Sequence, residues 1–530
     1  MGVRLQRARR AAELARVARR RKLLRVLREI GVVGPRPATR EGAREFRRGL
    51  EELGTTFVKL GQLLSSRPDM LPDVYIDELG RLVDEVPPHP FAELERVLHE
   101  ELGTAPFHSI DPQPVATASI AQIHPGLLHD GREIVVKIRR PGVVEQVDLD
   151  LDLLRSTAAA AERRSTTARL LQLDAVADEL ETHLRGELDF REEASNAELI
   201  ARALDGFDEL TVPAVVRPLV TERVLVLERI RGGKLSPAHG LPAEHAQRLA
   251  RAFFKAYVQQ VCGHGVYHAD PHRGNVFLTD DGRLALLDFG LLGRLDDDTR
   301  RSLALLLLAI AHNHAEDVAA LLLALSTTTP NADELAFVQE IRRKLPRYHW
   351  RPLAGIRVGE ALADLQRLAI THGVLLPPTF ALVGKTLAQA DSIARMLDPT
   401  LDPVELIGSE SLSLMLREAT RRLEPGELFG YAATQLDAVV RLPRRLGRAA
   451  ALLEAGRLRV GVSPTGLDEL EHVLRSTANR IGSALIVVGL LVSSALMSFV
   501  NDSIAIAGFS LSGALALYLT WRILRGPGEL

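Results

Sequence analysis

At 530 residues, with 66 Lys plus Arg against 68 Asp plus Glu and a formal net charge of −2, the chain is too long for one hydrophobic core and too evenly charged for an overall attraction to nucleic acid. Its one cysteine, Cys262, excludes an internal disulfide and cannot make a Cys-based zinc site alone, which suits a reducing cytoplasm. Aromatic residues make up only 4%, and the wealth of Ala, Leu and Arg predicts a mainly helical chain.

Residues 1–31 interleave Arg4, Arg7, Arg9, Arg10, Arg16, Arg19, Arg20, Arg21, Lys22, Arg25 and Arg28 with Leu5, Leu14, Val17, Leu23, Leu24, Val26 and Leu27. A basic amphipathic helix on an anionic membrane surface and a solvated basic arm both fit this pattern. The segment lacks the apolar core and cleavage site of a secretory signal, and Glu13 and Glu29 argue against a transit peptide. After Gly34-Pro35-Arg36-Pro37, residues 43–64 have the periodicity of one helix, on which Lys59 and Gln62 share a face. By residue type alone Lys59 reads as a surface lysine. Pro87-Pro88-His89-Pro90 then breaks the chain before a further helix.

From about residue 106 the texture turns β-like. Residues 114–124 predict two strands joined by a turn of small residues, and 133–138 a further strand with Lys137 near its end. Helices follow over 144–164 and 171–204, the second carrying Glu187, Asp189 and Glu193. Residues 212–216 and 223–230 read as closing strands, and Gly232-Gly233 as a hinge. Beyond 242 the pattern is helical, except for His268-Ala269-Asp270-Pro271-His272-Arg273-Gly274-Asn275, Leu287-Asp288-Phe289-Gly290 and short strands beside the turn Asp280-Asp281-Gly282. Near the end, 481–500 and 504–521 carry no charge. At about 1.5 Å per residue each would cross a bilayer core, predicting a transmembrane hairpin. Arg475, Arg480, Arg522 and Arg525 predict that both of its ends are cytoplasmic.

Asp270, with Asn275 five positions later and Asp288 thirteen after that, has the spacing of a protein-kinase catalytic loop and metal-binding turn. In that chemistry Asn275 and Asp288 offer oxygen ligands to Mg2+, and Lys137 neutralises the α- and β-phosphates of ATP. An inward glutamate orients Lys137, while Asp270 accepts a hydroxyl proton or orients a water. Two rivals stand beside this. His264, His268, Asp270, His272 and Asp288 could be written as a zinc hydrolase cluster, and a nucleotide-responsive scaffold without turnover would keep the same ligands.

Four features together resemble the UbiB family of atypical protein-kinase-like proteins: Lys59-Leu60-Gly61-Gln62 as its KxGQ motif, an alanine-rich loop in place of a glycine-rich one, Glu187-Leu188-Asp189 as its ExD motif, and residues 268–275 as its catalytic loop. The resemblance implies an α+β, two-lobed kinase-like fold: a basic segment over 1–35, a helical extension over 36–105, an N-lobe over 106–235, a C-lobe over 236–470 and two transmembrane helices over 478–525. It implies that Lys59 and Gln62 lie over the nucleotide site and deny room to a protein substrate. Ala116, Thr117, Ala118, Ser119, Lys137, Glu187, Asp189, Glu193 and Glu228 would line that site, with Glu187 and Asp189 holding the extension or helping with metal and Glu228 at the hinge. Glu193, four residues after Asp189, is the preferred partner for Lys137, with Glu187 left open. Thr117 and Arg273 depart from the family pattern and bear on nucleotide preference.

The function so implied is that of a membrane-anchored ATPase, or small-molecule or lipid kinase, using ATP and Mg2+ in support of ubiquinone or another isoprenoid quinone. The implied partners are anionic membrane lipids and quinone-biosynthesis enzymes or isoprenoid intermediates, with no nucleic acid and with homodimerisation left open. The implied location is the bacterial inner membrane.

Overall fold

The computed structural model describes residues 2–421 apart from 24–25, 27–28, 30–36, 66, 68–69, 83–85, 104–105, 165–172, 237–239, 330–331 and 347–357, together with Ser510 and Ala514. The chain divides into two compact units, Met1–Glu424 and Pro425–Leu530, and the elements below belong to the first.

Helix α1 (Gly2–Arg20) turns an apolar face, with Val17 buried, onto a small core shared with α2 (Arg40–Leu53), α3 (Thr55–Leu64) and α4 (Asp73–Leu79). Its basic side chains are partly spent on this contact. Arg10 donates to both Asp150 carboxylate oxygens at 2.7 and 2.9 Å and to Leu53 O at 2.6 Å, and it lies over the Phe57 ring at 5.8 Å. The single helix expected over 43–64 is two. Gly54 takes φ +91°, where a residue with a Cβ is strained, and its amide donates to Leu50 O and Glu51 O, ending α2 and turning the chain into α3.

Helix α5 (Phe91–Leu102) precedes an antiparallel sheet of β1 (Ser109–Ile110), β2 (Ala116–Thr117), β3 (Ala121–Leu127), β4 (Glu133–Arg139) and β6 (Val224–Glu228), with β5 (Leu210–Thr211) in a separate sheet. Strand β4 alternates as a half-covered strand should. Ile134, Val136 and Ile138 are buried against Leu94, Val97 and Leu98 of α5. That period of two leaves Lys137 on the opposite face, where α6 (Val143–Arg164), α7 (Leu173–Leu188) and α8 (Phe190–Ala203) pack.

The helix expected over 171–204 is likewise divided. Asp189 has extended backbone, and its carboxylate accepts from the Arg191 amide as the N-cap of α8. Asp189-Phe190-Arg191-Glu192 is a capping-box spelling, so the break was readable from the residues.

Past β7 (Gly232–Lys234), helix α9 (Ala243–Gln259) and a π turn over Gln260–His264 lead into β8 (Val266–His268). There follow β9 (Val276–Thr279), β10 (Leu284–Leu286), β11 (Leu292–Arg294), α10 (Asp297–Ala311), α11 (Ala315–Leu325), β12 (Thr327–Thr328), α12 (Glu334–Lys344), α13 (Val358–Thr371), β13 (Val374–Leu375), α14 (Pro378–Leu397) and α15 (Pro403–Arg421). Phe253, Phe254 and Tyr257 of α9 form one buried core with Val383 and Leu387 of α14 and Leu306 and Leu307 of α10. Strands β8 and β11 pair antiparallel, Leu292 opposite His268, so the loop over 268–275 leaves the edge of this core.

The expected transmembrane hairpin is corrected. Among the described residues no helix is long and apolar enough to cross a membrane. Segments 481–500 and 504–521, on which the expectation rested, lie outside the described residues apart from Ser510 and Ala514. The structure is a mixed α+β kinase-like fold with a helical C-lobe, and the membrane anchor and inner-membrane location expected from those segments are withdrawn.

Candidate functional site

Lys137 reaches the space between the lobes from the inner face of β4, and α8 meets it. Both Glu193 carboxylate oxygens accept from Lys137 Nζ, at 2.7 and 2.8 Å, and the ammonium lies 5.4 Å from the centre of the Phe190 ring. Glu187 is not the partner of Lys137. From the last turn of α7 its Oε1 takes Lys59 Nζ at 2.8 Å and lies 3.0 Å from His183 Nε2, while its Oε2 is buried without a hydrogen-bond partner. Asp189 points elsewhere: besides capping α8 it binds the Arg191 guanidinium at 2.7 Å. The division at Asp189 thus aims Glu187 and Glu193 inward from two helices and Asp189 outward.

On the opposite side, Asp288 adopts φ +61°, the left-handed region that is costly for a side chain with a Cβ. Its Oδ1 accepts from the Gly290 amide at 3.2 Å and lies 3.9 Å from Lys137 Nζ, and its side chain keeps 53% exposure at the cleft wall. The backbone is held there from two sides. Asn196 Nδ2 donates to Phe289 O at 3.0 Å, and buried His268 Nε2 donates to Asp288 O at 2.7 Å.

The charges follow from these contacts. Burial works against the Lys137 ammonium, but Glu193, Asp288 and Glu187 outweigh it and raise its pKa, so Lys137 is charged. At Asp288 partial desolvation at the cleft wall works against the charge, and Lys137 and Lys59 outweigh it, holding the carboxyl below the ordinary range. For Glu187, burial is again overcome, by Lys59 and His183, and the carboxyl is held at about 2. Burial lowers His268, leaving a neutral ring.

The loop over 268–275 is anchored through that ring. A backbone amide can only donate, so His268 Nδ1, which accepts from Asp270 N at 3.3 Å, is the bare nitrogen and Nε2 carries the proton. Both ring nitrogens are therefore committed, and His272 Nδ1 accepts from the Gly274 amide. These imidazoles have no lone pair free for the zinc cluster, and among the described residues no group of three or more His, Cys, Asp or Glu side chains is placed to hold a metal. Asn275 Nδ2 donates to Asp270 O at 3.3 Å, leaving its amide oxygen for another partner, and the Leu287 amide donates to Asn275 O, tying the loop to the Asp288 turn.

The ABC1 atypical kinase-like domain matches residues 81–322, the UbiB helical domain 341–402 and the ABC1/UbiB kinase-like C-terminal domain 465–525. The probable protein kinase UbiB of Xanthomonas campestris pv. campestris is 33% identical over 482 residues, 87% of this chain and 85% of its own. The chain belongs to the UbiB family. An uncharacterised protein of Synechocystis sp. is 29% identical over 497 residues, covering 92% of this chain and 85% of its own. A solved Mycobacterium tuberculosis protein, in complex with erythromycin, covers 69% of this chain and 93% of its own at 25% identity, with a TM-score of 0.48.

A UbiB-family chain is an atypical kinase or ATPase, and its kinase-like fold carries a nucleotide site. In this one the KxGQ lysine and the ExD glutamate are a buried ion pair, with Lys59 and Glu187 side chains 12% and 7% exposed. Gln62 is half-buried on the same helix, α3. The alanine-rich loop is the turn between β2 and β3, closed by the Ala118 amide donating to Ala121 O. Thr117, which departs from the family pattern, sends its hydroxyl to Val86 O at 2.8 Å, and Ser119 is buried with its hydroxyl unpartnered. Glu228 is exposed at the end of β6. Its amide donates to Ala214 O and that of Arg229 to Glu133 O, so these two hinge donors are taken.

Sequence reasoning missed the residues of α14 that meet the catalytic loop. Gln389 Nε2 donates to Asp270 Oδ1 at 3.0 Å, Lys385 Nζ lies 3.8 Å from the same oxygen, and the Thr386 hydroxyl is shared between Ala269 O at 3.1 Å and Leu382 O at 2.9 Å. The only signal was their spacing of one turn on a helix more than a hundred residues downstream.

Proposed function

We propose that the cleft between Lys137 and Asp288 binds ATP with Mg2+ and transfers its terminal phosphoryl group to a hydroxyl acceptor or to water. The observation that carries this reading is the Lys137 ammonium, held by both oxygens of Glu193 and facing the ionised Asp288 carboxylate at 3.9 Å. A fixed cation opposite a fixed anion suits a phosphate chain and its metal, for which the protein's work is positioning and charge neutralisation.

The donor set fits a hard cation. Asp288 brings a carboxylate held in its charged form, Asn275 an amide oxygen left free by its own NH2 bond, and Glu187 a buried oxygen without a partner. Mg2+ held by these oxygens would offset phosphate charge there. Lys137 then orients the α- and β-phosphates, and Asp270 takes the proton of the attacking hydroxyl or aims a water. The Lys59–Glu187 pair holds α3 beside this cleft, which favours a small acceptor over a polypeptide.

Calorimetric titration with ATP, with and without Mg2+, and phosphate release by wild type and Asp288→Asn test the reading. Mg2+-dependent ATP binding and release that fall at least tenfold in the variant are expected. Absence of ATP binding by folded wild type sinks it.

A further inference from the structure

Resting on that reading, we infer that α14 supplies two working parts of the phosphoryl-transfer site: Lys385 as the cation for the transferring group and Gln389 as the residue that positions Asp270. Lys385 and Gln389 stand four apart, so one helix face carries both, and both converge on Asp270 Oδ1, at 3.8 and 3.0 Å. The helix touches the loop at Thr386, whose one hydroxyl proton is shared between the carbonyl of Ala269, the residue before Asp270, at 3.1 Å and that of Leu382 in its own helix at 2.9 Å.

The two contacts differ in kind. At 3.0 Å the Gln389 amide makes an ordinary hydrogen bond, which occupies Oδ1; Oδ2, with His272 Nε2 3.8 Å away and beyond hydrogen-bond distance, is left to receive a proton. Only the NH2 end can face the carboxylate, since the carbonyl end would be repelled; Gln389 Oε1 is accordingly turned away, buried and unpartnered. Lys385 at 3.8 Å is too far for a charge-assisted hydrogen bond, which closes to about 2.7–2.9 Å. Its side chain is 34% exposed, against 12% for Lys137. Lys137 is committed to Glu193, and Lys59 is paired with Glu187. Lys385 is the lysine standing by the catalytic aspartate with its ammonium still open to an anion.

During transfer, the acceptor oxygen bonds to the γ-phosphorus as the bond to the bridging oxygen breaks. The electron pair leaves on the nucleoside diphosphate, and the acceptor's proton passes to Asp270 Oδ2. Lys385 offsets the charge on the equatorial phosphoryl oxygens at the side where the acceptor approaches, opposite in role to Lys137, which serves the α- and β-phosphates.

The test is steady-state phosphate release together with ATP affinity by titration, in the full chain, for Lys385→Met, Lys385→Arg and Gln389→Met. Lys385→Met is expected to lower kcat on the order of ten- to a hundredfold with an ATP Kd within about threefold of wild type, since a contact realised in the transition state moves kcat and not ground-state binding. Lys385→Arg, which keeps the charge, should recover at least about a third of wild-type kcat, and Gln389→Met should lower kcat about tenfold. A kcat for Lys385→Met within about twofold of wild type overturns the inference, as does a loss that is entirely in ATP affinity. So does a folded arginine variant as inactive as the methionine one, and the arginine comparison decides the matter if Lys385→Met melts early. If wild type itself releases no more phosphate than Asp288→Asn, the phosphoryl-transfer reading has failed. If wild type exceeds Asp288→Asn and Lys385→Met equals wild type, only the role of α14 has failed.

Discussion

His268 Nε2 donates to the carbonyl oxygen of Asp288 at 2.7 Å, and the same ring accepts from the Asp270 amide, so one buried imidazole joins the catalytic loop to the Asp-Phe-Gly turn. This bond helps hold Asp288 at φ +61°. Replacing His268 by Leu leaves the Asp288 carbonyl and the Asp270 amide short of a partner, at a cost of about 1–3 kcal/mol. Urea denaturation should show that loss, and phosphate release should fall with it.

The same ring makes stability depend on pH. Burial lowers His268, so the unfolded chain takes up a proton near pH 6.5 that the folded chain refuses. Its contribution is therefore complete above about pH 6.5 and is lost as the pH falls from there toward the depressed folded value. Melting curves between pH 7.5 and 5 should converge for wild type and His268→Leu toward the acid end. A difference that stays constant across that range would contradict the neutral ring.

The kinase-like architecture was legible because the site's chemistry is local in sequence: Asp270, Asn275 and Asp288 fall within nineteen residues, and Lys137 lies near the end of a strand whose alternation is plain. Two helix breaks were not read, at Gly54 and Asp189, because apolar periodicity runs across both while the chain turns. The cap chemistry at each was present in the residues. Lys385 and Gln389 had no local sign at all, since what recruits them is the packing of α14 on α9 and the catalytic loop, a tertiary fact. The membrane expectation rested on the charge-free length of 481–500 and 504–521, their flanking arginines and the family resemblance, and not on any site residue.

The Lys137–Glu193 pair separates stability from binding. The side chains are 12% and 6% exposed, so removing the lysine alone leaves a buried carboxylate unpaired, which costs about 3–5 kcal/mol. Lys137→Met should therefore both destabilise the fold and weaken ATP at least tenfold. The double variant Lys137→Met with Glu193→Leu should regain most of the lost stability in urea denaturation while ATP binding stays weak. Recovery of ATP affinity along with stability would remove Lys137 from the phosphate site.

Glu187 predicts acid sensitivity of a different origin. Its carboxyl is held at about 2 by Lys59 and His183 against an ordinary value of 4.5. Since the folded value is the lower one, its stabilisation is present above about pH 4.5 and is lost as pH falls toward 2, on the order of 3 kcal/mol in all. Glu187→Gln should flatten that limb of an acid-denaturation curve relative to wild type. An unchanged limb would mean that the Lys59–Glu187 contact does not persist in solution.

Arg10 links the N-terminal helix to the KxGQ segment. Its guanidinium binds both oxygens of fully buried Asp150, takes the Leu53 carbonyl just before the Gly54 turn, and covers the ring of Phe57, two residues before Lys59. A lysine cannot make the forked contact and the carbonyl bond together, so Arg10→Lys is not conservative here. Arg10→Ala strands the Asp150 charge and should cost about 3 kcal/mol. Because Leu53 and Phe57 flank the start of α3, the loss should appear first as faster amide hydrogen exchange over Thr55–Leu64, with α9 and α14 unaffected. Exchange that rises uniformly across the unit would show instead that Arg10 supports the fold as a whole and not the helix carrying Lys59.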